Sequence, residues 1–409
     1  MTPSEVSSGE AVTAAHMAAD LVRSGAETRF LASPFTAQLA STLGPAYELG
    51  RDMTDNQRAW DRAVDEFSPD AIVFADYPLL FFANGSVPLV DEGWLSRLER
   101  AAPLLVTLDH LGYAQGPKTV FFGPPHLSFH AATFPAVPDR MQLLLPCPSH
   151  DPRQTGRMRG MPFRYWSPSG REDRGGRAAV RQRHGVGEGE LLVVHAAPQW
   201  AWRMAEQLGL PYYRFLPSIL AHYFDDLPVP LTVVSVNNGG LLPSVEGRAV
   251  RVLNVSSLPI PDYERLLLAS DLLLSENGIS VSMGKAVCAG VPCALLRNSF
   301  RLSELVERAG EAVRRIVLAM EDLRLGSVFP YEVFPLWRRD EVPLPGPVPG
   351  CTAVEVFGGE PTRQLLHRLL LDEASGAELK AEAKGYAERV AALPGPVAAL
   401  RSALALVSA

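Results

Sequence analysis

Lysine is scarce in this 409-residue chain: Lys118, Lys285, Lys380 and Lys384 are four residues among 38 basic side chains. The others are arginines. Together with abundant alanine they mark a GC-rich genome, so most of them need no functional reason, whereas a lysine at a special place does. Cysteine is scarce as well. Cys147, Cys288, Cys293 and Cys351 show no CxxC spacing, which excludes a disulfide frame or zinc ribbon and points to reduced, buried thiols in a cytoplasmic protein. No apolar run reaches the ~18 residues of a membrane span. The leading MTPSEVSSGEA has neither the basic nor the apolar region of a secretory signal. Positive charge is lacking too: a net charge of −7 leaves no footprint for nucleic acid. HExxH, GxSxG and GxGxxG are absent, as is a DxD motif at a strand end.

What is present is an ordinary globular mixture, 47% hydrophobic and 20% charged. Helical periodicity over 11–24, 35–43, 54–67 and 94–101 alternates with short apolar runs at 28–32, 71–75 and 104–108, the pattern of a parallel α/β sheet. Its first strand is short or missing: either residues 2–5 form a stub, or the true start lies upstream of Met1. A polar stretch rich in Arg, Gly and Pro, residues 149–175, reads as a linker. A second α/β series follows, with helices over 177–184, 212–224, 263–269, 280–289 and 302–308. Its strands are expected at 191–196, 231–236, 250–255, 272–274 and 293–296. The tail from 362 to 406 reads as helical. The domains fall at 1–165, 166–385 and 386–409.

The densest cluster of chemistry is ASDLLLSENGISVSMGKAVCAGVPCA, residues 269–294. It reads as a buried strand, a polar turn and a helix start. In an open parallel sheet, ligands sit at the carboxyl ends of strands, where a helix N-terminus offers free N–H groups. Glu276, Asn277, Gly278, Ser280 and Ser282 make that turn suitable for a diphosphate. An ordinary capped βα turn uses the same residue types. His195 and Asn237 end neighbouring strands and are further candidates.

This stretch resembles the donor-binding signature of GT-B glycosyltransferases, the family of the lipid II-forming GlcNAc transferase and of antibiotic and plant small-molecule glycosyltransferases. The match runs through Ser270-Asp271-Leu272-Leu273-Leu274-Ser275 and Ala289-Gly290-Val291-Pro292. Ser282 falls where the family hydrogen-bonds the diphosphate, Asn277 where it places His or Arg, and Pro259 in the loop that holds the nucleobase. The chain departs from the pattern at Lys285. There the family has Glu or Gln on the ribose hydroxyls, and a cation cannot accept those bonds; a phosphate contact and a solvated helix lysine are the two readings. Gly278 is also offset by one residue.

The N-terminal segment from Ser8-Gly9-Glu10 to Phe30 is similar to the family's opening motif. Glu10 stands where many members have the His that deprotonates the acceptor; a first-turn structural acid is the plain alternative. Asp76 and Asp109 each close a strand and can orient or replace that base, or serve as caps. His110 follows Asp109. Residues 77–90 with Phe81, Phe82 and Trp94 either wall an apolar or aromatic acceptor pocket or belong to the core.

The resemblance implies an α/β GT-B fold: two Rossmann-like domains with parallel sheets facing a cleft, and a C-terminal helix crossing back. It implies a nucleotide sugar as co-substrate, no metal or other cofactor, and inverting transfer to a small-molecule or cell-surface acceptor in bacterial natural-product biosynthesis. Neither nucleic acid nor a membrane span is expected, and a homodimer is left open. A nucleotide-sugar 2-epimerase and a non-catalytic auxiliary protein are the rival readings.

Overall fold

The computed structural model describes residues 1–2, 9–34, 36–37, 44–81, 88–110, 119–122, 130–133, 137–155, 160–167, 174–207, 212–236, 250–255, 258–278, 280–298, 314–315, 348–372 and 375–408. The chain forms two compact units. Met1–Ser167 and Glu388–Ala409 belong to the first, Pro168–Val333 and Pro347–Ala387 to the second.

The first unit begins with α1 (Gly9–Arg23), β1 (Phe30–Ala32), β2 (Ala46–Glu48), α2 (Met53–Phe67) and β3 (Ala71–Phe74). A 3-10 turn (Pro78–Phe81), α3 (Trp94–Ala101), β4 (Leu104–Leu108), β5 (Thr119–Phe122) and β6 (His130–Thr133) follow. β7 (Gln142–Cys147), α4 (Pro152–Thr155) and β8 (Met161–Arg164) complete the run. Strands β3, β4, β7 and β8 form a parallel sheet in that order, and β1 pairs with β2 in parallel. β5 and β6 form a separate antiparallel pair.

Met1 and Thr2 fill the place of a first strand. Thr2 donates its N–H to Leu31 and accepts one from Ser33, while the Met1 carbonyl accepts from Ala75. The stub thus joins β1 to β3, giving a continuous order β2-β1-stub-β3-β4-β7-β8. Residues 3–5 of the expected stub lie outside the described residues. Trp60, Phe74, Tyr77 and Trp94 pack together in the core of this unit, Trp94 edge-on to Trp60 and Phe74, Tyr77 edge-on to Phe74, and Trp60 stacked on Phe74, with Trp60 and Trp94 centroids 4.8 Å apart. Each fully buried aromatic of this kind contributes roughly 1.5–3 kcal/mol.

The second unit runs through α5 (Arg174–Arg183), β9 (Leu191–Ala196), α6 (Gln199–Gln207), α7 (Tyr212–Phe224), β10 (Leu231–Val236) and β11 (Val250–Val255). Then come α8 (Ile260–Ala269), β12 (Leu272–Ser275), α9 (Val281–Cys288), β13 (Cys293–Arg297), β14 (Cys351–Glu355), α10 (Glu360–Leu371) and α11 (Ser375–Ala391). Its six parallel strands lie in the order β11-β10-β9-β12-β13-β14. Numbered along the chain this is 3-2-1-4-5-6, the doubly wound Rossmann order, whose direction reverses between β9 and β12. The expected helix over 302–308 lies outside the described residues.

α12 (Pro396–Ser408) returns the chain to the first unit. It packs on α1, β4 and β8, with Ala399 and Ala403 fully buried. Among the described residues no single helix is long and apolar enough to cross a membrane. The four cysteines are unbonded thiols, three of them fully buried.

Two differences from the sequence expectation have clear causes. The polar stretch 149–175 contains β8, an edge strand in which Phe163 alone is buried; an edge needs little apolar sequence. β7 was unassigned because Pro146 interrupts its apolar run, and proline is a poor signal for a strand interior.

Candidate functional site

Strand order points to the first place to look. β9 and β12 pair in parallel to their last residues, and at this reversal of strand order the connections leave the sheet in opposite directions, the place where open sheets of this kind bind ligands. His195 lies there in register with Ser235 on β10 and Leu274 on β12. It is completely buried. Its Nε2 lies 2.8 Å from Glu276 Oε1, and its Nδ1 lies 3.0 Å from Ser235 Oγ. Tyr212 donates its hydroxyl to the same Glu276 oxygen at 3.3 Å. The second oxygen, Glu276 Oε2, is sealed from solvent and meets no partner among the described residues. Burial, aided by the negative charge of Glu276, pushes the Tyr212 and Tyr213 hydroxyls well above their ordinary pKa.

The turn after β12 is built as the sequence suggests. Ser275 Oγ donates to the Ala196 carbonyl, its register partner on β9, and accepts the Asn277 N–H. Ser280 caps α9 by accepting the Ser282 N–H at 3.2 Å. Asn277, Gly278, Ser280 and Ser282 are half-buried. The Gly-Val-Pro that closes the motif ends α9: Gly290 takes a left-handed φ of 67°, which glycine adopts without strain, and Val291 N–H returns to Ala286.

Lys285 is 2% exposed, and its Nζ lies 2.6 Å from Glu264 Oε1 on α8. Burial lowers its pKa to about 8 against the opposing pull of Glu264. Its charge is therefore answered inside the unit. The signature's Asp271 is a tie as well: it accepts the Leu192 N–H and pairs with Arg177 and Arg181 of α5. Pro259 is the exposed cap position of α8. Asn237 lies outside the described residues.

The first unit carries a second cluster at the carboxyl edge of its sheet. Glu10 in the first turn of α1, Asp76 after β3 and Asp109 after β4 are all buried. Desolvation first, then the charges of Asp109 and Glu10, push the Asp76 carboxyl well above the usual range. The N–H groups of Leu79 and His110 pull the other way without reversing it. Neither Asp76 oxygen reaches hydrogen-bonding geometry with a described residue, and neither does His110 Nε2. Burial lowers the His110 pKa to about 3 and that of His150 to about 4. The His150 Nε2–H group donates to the Asp109 carbonyl. Both imidazoles are consequently neutral at ordinary pH.

Sequence reasoning named the three acids and His195 but missed His150, Ser235, Tyr212 and Glu264. Ser235 carried a usable signal, since aligning adjacent parallel strands by their ends puts it beside His195. His150 carried none, because it lies in the stretch read as a linker.

Beside Asp76 in sequence, Tyr77 lines a cavity of about 510 Å³ with Phe81, Trp94, Leu98 and Leu105. Tyr77, Trp94, Leu98 and Leu105 also belong to the hydrophobic core. Phe82 lies outside the described residues. Among the described residues no group of three or more His, Cys, Asp or Glu is arranged to hold a metal ion.

Solved structures similar to this chain include a spinosyn rhamnosyltransferase, SpnG, complexed with thymidine diphosphate. It is 15% identical, covers 96% of this chain and 95% of its own, and has a TM-score of 0.49. The glycosyltransferase SnogD from Streptomyces nogalater is also 15% identical, over 96% and 94% of the two chains, with a TM-score of 0.48. A putative UDP-N-acetylglucosamine 2-epimerase from Listeria monocytogenes is 12% identical over 94% and 93%, with a TM-score of 0.46. No curated protein matches the chain in sequence. The model of DUF6365, described as a family of unknown function, matches residues 17–407, and the chain belongs to that family.

Proposed function

We propose that this protein transfers a sugar from a nucleotide-activated donor to a small-molecule acceptor. One observation carries the reading: the residues that resemble a donor-binding signature, 270–292, form β12, the polar turn and α9 at the strand-order reversal of a Rossmann sheet. That is where such sheets bind nucleotides. The turn supplies the Ser280 and Ser282 region of a helix N-terminus to the leaving diphosphate. The reading needs no metal, because helix dipole and hydroxyls take the developing charge.

In the first unit, Glu10, Asp76 and Asp109 divide the remaining work. Burial and the neighbouring Asp109 and Glu10 charges favour the protonated form of Asp76, which suits it to orient rather than abstract. Asp109 or Glu10 takes the acceptor hydroxyl proton as the acceptor oxygen bonds to the anomeric carbon. The anomeric carbon–oxygen bond breaks, and its electron pair leaves with the nucleoside diphosphate, which gives inversion. The cavity at Tyr77, Phe81 and Trp94 supports an apolar or aromatic acceptor of the kind found in bacterial natural-product pathways. A 2-epimerase, which takes no second substrate, has no use for that cavity.

Binding is tested by thermal denaturation with a panel of UDP- and dTDP-sugars. Ligand at 100 times its Kd stabilises by about 2.7 kcal/mol, so at least one donor is expected to raise Tm by several degrees. No shift with any donor overturns the proposal and favours a non-catalytic auxiliary protein.

A further inference from the structure

The cavity of the first unit has an apolar floor and an acidic rim. At about 510 Å³ it falls within the ~300–1,000 Å³ of small-molecule sites. It runs along α3, from Tyr77, next after Asp76, to Leu105 near the start of β4 and Asp139 just ahead of β7. Its floor is the packed core of Tyr77, Trp94, Leu98 and Leu105. Its walls are incompletely covered: Phe81, Val90 and Val137 are half-buried, and Leu95 at the rim is 55% exposed. Apolar side chains gathered round one concavity and left partly uncovered mark a place where an apolar body settles.

The charges around that floor are one-sided. Among the described residues that line it, four carboxylates, Asp91, Glu92, Glu99 and Asp139, stand against one cation, Arg140. Arg140 is directed to the end of α3, where it donates to the carbonyls of Leu98, Glu99 and Ala102 at 3.2–3.3 Å. Asp91 is answered within the unit by Arg97 at 3.0 Å and by the Gln57 amide at 2.7 Å. Glu92 and Glu99 are exposed, and neither carboxylate pairs with a cation among the described residues. An anionic ligand meets repulsion at this rim. An ammonium meets attraction, strengthened where apolar walls displace water around it.

From this arrangement we infer that the cavity takes a cationic amphiphile: an aromatic or alicyclic body seated against Phe81, Leu95 and Val137, carrying a protonated amine that Glu92 and Glu99 receive. Under the sugar-transfer reading, on which this rests, that ligand is the acceptor, and it is basic rather than neutral or acidic.

The test is fluorescence titration of the full-length protein with three probes that share one ring system and differ in charge: 1-pyrenemethylamine, 1-pyrenemethanol and 1-pyrenecarboxylate. Wild type is expected to bind the amine at least 10-fold more tightly than the carboxylate, with the alcohol between them, and added salt to narrow the gap. Glu92→Gln/Glu99→Gln is expected to cut that preference to about 3-fold or less while leaving the alcohol unchanged. Leu95→Lys, at an exposed position, is expected to reverse it. Because the whole chain carries a net charge of −7, Glu378→Gln/Glu382→Gln on α11 of the other unit serves as the control for non-specific attraction, and it is expected to keep the wild-type preference. Circular dichroism confirms the fold of each variant. Equal affinity for the three probes, no binding of any, a preference that Glu92→Gln/Glu99→Gln leaves intact, or one that the control lowers equally overturns the basic-ligand site; a donor-induced rise in Tm then still supports sugar transfer. The expected preference without any donor-induced rise in Tm supports the site and overturns transfer.

Discussion

Asp76 is a carboxyl sealed almost completely from water. It is 1% exposed, and the charges of Asp109 and Glu10 add to the desolvation. Its folded pKa lies well above the unfolded value of about 3.9. The folded chain therefore keeps a proton that the unfolded chain has released. Between the unfolded and folded pKa values this makes stability fall as pH rises. Replacing Asp76 with Asn removes the titration while keeping size and polarity. Asp76→Asn is expected to raise stability by about 1–3 kcal/mol at pH 8, with the gain shrinking toward pH 4; chemical denaturation at the two pH values measures it. A gain independent of pH, or a loss at pH 8, removes the protonated carboxyl from the scheme. His110 and His150 act in the opposite direction. Their folded pKa values of about 3 and about 4 lie below the ordinary 6.5, so their contribution is present above 6.5 and is lost as pH falls toward those values.

Between elements, the Lys285–Glu264 pair fastens α9 to α8. The lysine is buried and the carboxylate nearly so, with side-chain exposures of 2% and 16%. Removing one partner of such a pair leaves the other charge in a poor solvent. Lys285→Met is expected to destabilise by about 1–3 kcal/mol, and Glu264→Leu added to it to restore most of the loss; Tm of the two variants checks this. A single variant as stable as wild type makes the pair incidental. The sequence marked Lys285 as a departure, because lysine is rare and stands where the glycosyltransferases that the stretch resembles have Glu or Gln. Its partner was invisible, since Glu264 and Lys285 are 21 positions apart and meet only once α8 and α9 pack. The same limit applies elsewhere. β9, α7, β10 and β11 were legible end to end because they are short buried runs or strongly periodic helices. β8 and β7 were not, one being a polar edge and the other interrupted by Pro146. Asp271 was legible as part of a motif but not as the tie that two arginines and a backbone N–H make of it.

Across the whole molecule, two α/β units each gather titratable side chains at the carboxyl ends of parallel strands. In the first, three acids and two neutral histidines cluster where β3 and β4 end. In the second, a buried Glu–His–Ser chain and a capped helix start lie at the reversal of strand order. The first unit suits proton transfer, the second a charged, hydroxylated ligand, and sugar transfer from an activated donor calls for both. Release of nucleoside diphosphate from UDP- and dTDP-sugars is the most direct assay, run with wild type, Glu10→Gln and Asp109→Asn at equal concentrations. Wild type is expected to release diphosphate from at least one donor. One of the two variants is expected to fall by about 10²–10⁴-fold, the usual worth of a general base, while its donor-induced rise in Tm persists. Folded wild-type protein that releases no diphosphate from any donor, or variants that both match it, contradicts sugar transfer with a carboxylate base in the first unit.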